Sequence, residues 1–142
     1  MAANQTTNYQ LNQWEATDQI LRTDFNADNA KVDAALAGLA GAVLHIATGV
    51  YVGNGESSRA FSVPFPPKAV FLCTQSGQTY GESGIGHVYG GLAMASCPLQ
   101  HETVNALVIT DSGFTVYDCI INNLSSIQLN KEQTTYHYIA IG

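Results

Sequence analysis

The densest run of side chains able to do chemistry lies between residues 75 and 92, QSGQTYGESGIGHVYGGL. There Tyr80, Glu82, His87 and Tyr89 alternate with small residues and are flanked by Gln75 and Gln78. Aromatic rings stack on the apolar faces of sugars, while amides, imidazole and carboxylate exchange hydrogen bonds with hydroxyls. Loops on a rigid scaffold are where such recognition groups usually sit. Tyr80, Glu82, His87 and Tyr89 are therefore the candidate ligand-binding residues, with a glycan as the ligand class; a flexible loop whose aromatics pack on a neighbouring subunit is the competing reading.

Candidate catalytic sets fall short of their templates. Gly81-Glu82-Ser83-Gly84-Ile85 approaches a nucleophile elbow but lacks its final glycine. Gly84-Ile85-Gly86-His87-Val88-Tyr89 starts like a dinucleotide loop but has Tyr where the third glycine belongs. His45, His87, His101 and His137 are too dispersed for a local metal motif. A threefold axis would be needed to gather one His45 from each of three chains. Asp111 and Asp118 are the carboxylates able to meet across a hairpin for glycoside hydrolysis, although turn or edge aspartates explain both more simply. The expectation is a protein that is not an enzyme and uses no cofactor or metal.

Composition narrows the partners. Charged residues make up 11% of the 142, against roughly a quarter in an average globular protein. Polar cover falls mainly to Asn, Gln, Ser and Thr, a surface common on proteins that face the outside or are buried between subunits. Five cations, Arg22, Lys31, Arg59, Lys68 and Lys131, are scattered in a chain of net charge −6. Nucleic acid is not expected, because phosphate binding needs clustered positive charge. No apolar run approaches the roughly 20 residues that cross a bilayer, and the start, MAANQTTNYQ, lacks the basic and apolar regions of a secretory signal. Synthesis in a cytoplasm is expected, with any exit by another route. Cys73, Cys97 and Cys119 have no metal-ligand spacing and read as buried free thiols.

The elements that must position these groups fall into three parts. Residues 1–22 are polar with isolated large side chains and predict an extended arm with a short turn near Glu15–Leu21. Within it Tyr9, Leu11 and Trp14 are candidate attachment residues, since an amphipathic ring fills a partner's pocket well; packing of Trp14 on its own assembly is the alternative. Residues 23–44 predict a helix capped by Thr23 or Asp24. Along it Phe25, Asn29, Val32, Leu36, Leu39 and Val43 are spaced alternately four and three apart, the heptad seam of a parallel bundle of identical chains. Gly38 and Gly41 each lower helicity by about 1 kcal/mol relative to Ala, so packing must hold this helix. An amphipathic helix lying on a sheet is the competing reading.

Residues 45–142 predict an antiparallel β-sandwich. Its expected strands are Ala47–Val52, Arg59–Val63, Ala69–Thr74, His87–Met94, Val104–Thr110, Phe114–Asp118, Ser126–Leu129 and Thr134–Ile141. Asn54-Gly55 and Asp111-Ser112-Gly113 are hairpin signals. The fold class is thus mainly β, with an N-terminal arm and a short α-helix forming a trimeric, coiled-coil-like bundle.

Leu11-Asn12-Gln13-Trp14-Glu15, Thr17-Asp18, Leu21, Asp24-Phe25-Asn26, Asn29 and Lys31-Val32-Asp33 together resemble the N-terminus of tail-fibre-like proteins of phages and prophages of Gram-positive, notably clostridial, bacteria. Weaker echoes are Tyr51-x-Gly53-x-Gly55, Phe65-x-Pro67-Lys68-x-Val70 and the terminal Tyr136-x-Tyr138-x-Ala140-Ile141-Gly142. The resemblance covers about 25 residues closely. It implies a virion structural protein, usually trimeric, with the N-terminal part toward other virion proteins and the β domain toward the host cell surface. A purely architectural head or tail decoration is the first alternative, and a polysaccharide hydrolase the second.

Overall fold

The computed structural model describes residues 2–82 and 86–142. The chain divides into two compact units that meet in sequence at Val43 and Leu44.

In the first unit the arm is not extended. Strands β1 (Asn4–Gln5) and β2 (Asn12–Gln13) pair antiparallel, Asn4 opposite Gln13. The Thr6 hydroxyl accepts the Leu11 N–H at 2.9 Å, and Gln10 supplies the left-handed turn residue at φ 53°. Helix α1 spans Arg22–Ala42. Its N-cap is Leu21, without a side-chain cap bond, rather than Thr23 or Asp24. Both of those lie inside the first turn, where Asp24 opposes the positive end of the helix dipole.

The arm folds back along one stripe of α1. Asn12 donates its N–H to Asp28 Oδ2 at 2.9 Å and its amide to Asp28 Oδ1 at 3.1 Å, and Lys31 Nζ donates to the Gln10 carbonyl. Asp24, Asp28, Lys31 and Ala35 become half-buried as a result. The seam lies about a quarter turn round at 100° per residue. There Phe25, Val32, Leu36, Leu39 and Val43 keep 41–62% of their surface exposed. No helix residue is buried.

The second unit is built from strands. In chain order they are β3 (Ile46–Val52), β4 (Ser58–Ser62), β5 (Ala69–Thr74), β6 (Tyr80–Glu82), β7 (Gly86–Val88), β8 (Gly91–Met94), β9 (Leu99–His101), β10 (Val104–Thr110), β11 (Gly113–Asn122), β12 (Ser125–Gln128) and β13 (Thr135–Ile141). One sheet runs β3-β13-β5-β8; the other runs β6-β7-β12-β11-β10-β9, with β4 also paired to β11. The Asp111–Gly113 signal closes the β10–β11 hairpin, whose register sets Thr110 opposite Gly113. Gly113 is obligatory there, because a Cβ would lie 1.9 Å from the Phe61 carbonyl.

Two expectations fail instructively. The strand foreseen over His87–Met94 breaks at Tyr89–Gly90, both of whose N–H groups bond the Thr79 carbonyl, and the chain passes from one sheet to the other. The sandwich is not wholly antiparallel either, since β7 and β12 run parallel with His87 opposite Ser126.

The two sheets share one core. Val70, Leu72 and Tyr136 from one meet Leu107, Phe114, Val116 and Ile127 from the other, all fully buried. Aromatic contacts tie the layers: Tyr51 to Phe61 at 4.4 Å and Phe114 to Tyr138 at 4.9 Å between centroids. The phenols donate inward, Tyr51 to the Leu129 carbonyl and Tyr136 to the Gln128 carbonyl, each at 2.5 Å. Burial pushes both phenol pKa values up, Tyr136 to about 12.

The other face of the four-stranded sheet is open. Cross-strand register lines up Ile46, Ile141, Ala69 and Met94 in one row, then Thr48, Ile139, Phe71 and Leu92, then Val50, His137 and Cys73, then Val52 and Thr135. No Asp, Glu, Lys or Arg stands in these rows.

Candidate functional site

The second unit carries two polar hollows joined by an aromatic pair. In the smaller, about 310 Å³, parallel register brings His87 on β7 beside Ser126 on β12. Strand alternation puts Gln128 on the same face as Ser126. The Ser126 Oγ lies 2.6 Å from His87 Nδ1, and Gln128 Nε2 lies 3.1 Å from both. His87 Nδ1, Ser126 Oγ and the Gln128 amide thus form one hydrogen-bonded cluster, in which the roles of the ring nitrogen and the hydroxyl follow the histidine tautomer. Gln128 Oε1 is buried without a partner. Ile120, 83% exposed, stands on the rim.

Beneath the cleft a carboxylate fixes the connecting turn. Ser125 Oγ donates to Glu102 Oε1 at 2.6 Å and Asn122 Nδ2 donates to the same oxygen at 3.1 Å. These two bonds, Ser125 first, hold the Glu102 carboxyl below its usual range.

The larger hollow, about 540 Å³, is lined by residues including Thr74, Gln75, Gln78, Tyr89, Lys131 and Gln133. A tight loop forms one wall: Thr74 Oγ1 accepts the Gln78 N–H at 3.1 Å, and Gly77 takes φ +80°. The Tyr89 ring, 5.9 Å from that of His87, stands between the two hollows. Gly81 gives it room, because a Cβ there would come within 2.8 Å of the ring.

The structure thus joins two of the four residues singled out from the sequence and separates a third. Tyr80 pairs with Val88, whose side chain enters the core, so it lies on the face opposite His87 and meets His101 edge-on at 6.2 Å. Glu82 ends β6, but its side chain lies outside the described residues, as do Ser83, Gly84 and Ile85 of the two motif near-misses. Ser126, Gln128, Asn122 and Glu102 were not foreseen. The polar alternation of Ser126 and Gln128 is a visible signal, whereas their parallel pairing with a strand some 40 positions earlier is not.

Other candidates resolve by position. Asp111 sits in the hairpin turn and Asp118 is five residues beyond Gly113 along β11, roughly 17 Å at strand rise. A glycosidase pair needs about 5–9.5 Å, so these two do not form one. Asp118 is raised in pKa by burial, opposed by an Asn130 backbone bond and by Lys131, and its Oδ2 has no partner. Cys73 and Cys119 are half-buried, but Cys97 is exposed, held in the tight turn where its N–H bonds the Met94 carbonyl. His45 packs its ring on Phe65 at 5.4 Å. Among the described residues, no three His, Cys, Asp or Glu side chains gather, and no helix is long and apolar enough to cross a membrane.

In the first unit, Trp14 does not project. Its ring stacks on Phe25, 5.4 Å between centroids, while Tyr9 and Leu11 line a hollow of about 220 Å³ with Val32, Ala35, Leu36 and Leu39. Attachment and seam residues therefore form one continuous surface.

Comparison with protein-family models, with curated proteins and with solved structures finds no match to this chain.

Proposed function

We propose that the chain is a homotrimeric, non-enzymatic virion component of the tail-fibre type. Its first unit associates the copies through the α1 seam and attaches them to other virion proteins, and its second contacts the host cell surface. The observation that carries this reading is the row Phe25, Val32, Leu36, Leu39 and Val43, which is apolar, at heptad spacing and 41–62% exposed. The chain's own arm covers the neighbouring stripe and touches this row through the Trp14–Phe25 stack and a hollow that Tyr9 and Leu11 share with Val32, Leu36 and Leu39, yet each apolar side chain of the row stays at least 41% exposed. A marginal helix with two glycines gains its stability when copies close that seam.

The ligand that suits the second unit is a neutral glycan. Its hollows offer amides, hydroxyls, one imidazole and an aromatic rim, with Lys131 as the charged group. Three weak sites presented together gain avidity, so modest affinity at each suffices. Labelled protein should bind host cells, and His87→Ala combined with Tyr89→Ala should weaken binding by roughly tenfold or more per site, about 1.4 kcal/mol. Unchanged binding by that variant removes the site from the reading. A chain that enters particles without ever binding cells supports the architectural alternative.

A further inference from the structure

We infer that the open face of the β3-β13-β5-β8 sheet is a second contact between copies of this chain, within the same assembly that the helix seam begins. The inference takes its copy number from the proposed function but rests on a separate surface. Ile46, Val50, Val52, Phe71, Leu92 and Met94 all lie on this face and keep 42–59% of their surface exposed. Exposed apolar side chains occurring singly are ordinary, but a contiguous face of them marks an interaction site.

Three arguments identify the occupant as another copy. The rows contain no formally charged side chain, so the face offers no charge pattern by which to select a different protein. It has two apolar flanks, β3 on one side and β5 with β8 on the other, joined across β13 by Ile139 and Ile141 and separated only where His137 and Thr135 stand. Around a threefold axis the β3 flank of one chain meets the β8 flank of the next, so each flank is covered once. The size also fits. Four strands about 4.8 Å apart and seven residues long cover roughly 20 by 23 Å, or about 450 Å² in plan. That falls short of the roughly 800 Å² each partner gives a stable interface. The seam of α1, about 31 Å long, makes up much of the difference.

Thiol accessibility in purified, full-length protein tests this directly, since no other partner is then present. Val50→Cys and Leu92→Cys place reporters on the two flanks, and Ile120→Cys, on the other sheet, is the open control. Maleimide incorporation is read at each site by peptide mass spectrometry, which separates the reporters from the native cysteines. In the assembled protein both flank reporters should react roughly a hundredfold more slowly than Cys at 120. Dilution that lowers the mass measured by light scattering should restore fast labelling. Fast labelling in a protein that light scattering shows to be assembled overturns the inference and leaves the helix seam standing. Slow labelling that persists in monomer also overturns it, because the chain would then be covering its own face. A protein that is monomeric at all concentrations and labels fast overturns both.

Discussion

The indole of Trp14 lies stacked on the ring of Phe25, with centroids 5.4 Å apart and planes inclined by 17°. One residue belongs to the arm and the other opens the helix seam. The contact therefore means that whatever engages the seam also touches the arm. The Trp14 Nε1–H is buried there without a partner, as is Asp24 Oδ2, so the first unit alone leaves polar atoms unsatisfied. Each such atom costs about 1–3 kcal/mol unless a neighbour supplies a partner.

Trp14 is the sole tryptophan, so its fluorescence reports the arm. Phe25→Ala should shift its emission to the red and lower stability by about 0.5–1.5 kcal/mol beyond the lost apolar area. Unshifted emission would mean that the stack does not hold in solution.

Asp28→Ala removes the acceptor of both the Asn12 N–H and the Asn12 amide. Hydrogen bonds to a charged group contribute about 1.5–3 kcal/mol. Hydrogen exchange at the arm's amides should accelerate while the strands of the second unit remain protected.

Alkaline pH should unfold the second unit through its buried phenols. Tyr136 has a folded pKa of about 12 against 10.0 for the free side chain. Its contribution is complete below pH 10 and is lost as pH rises through the folded value. Tyr136→Phe should reduce the pH dependence of melting temperature between those limits. At neutral pH it should cost about 1 kcal/mol, for the lost bond to the Gln128 carbonyl.

Asp118→Asn should act in the opposite sense to a broken salt bridge. Burial raises the Asp118 pKa, so the ionised form is disfavoured on folding and the chain loses stability as pH rises through the folded value. A neutral amide removes that dependence, and the variant should melt higher at neutral pH. A lower melting temperature would show that the Asn130 backbone bond outweighs the burial.

Much of the β unit was legible because its turn residues have local causes. Ala69–Thr74 and Val104–Thr110 occur with the bounds expected, and Asp111–Gly113 turns the chain between β10 and β11. What was not legible is long-range. Nothing near Asn12 announces its pairing with Asp28, and nothing near His87 announces Ser126. The break at Tyr89–Gly90 follows from a layer change, which alternation along one strand cannot reveal. Gly91, at φ +148°, and Gly90, whose Cβ would lie 2.0 Å from the Leu72 carbonyl, are the local marks it leaves. The helix seam was visible as a pattern, yet whether the arm would cover it depended on the fold-back.

The central claim is self-association through that seam, and sedimentation equilibrium at micromolar concentration measures it most directly. The account predicts a particle of three times the 15.1 kDa chain mass, reduced toward a single chain by Leu36→Asp. A stable species of 15.1 kDa in the unaltered protein would contradict it.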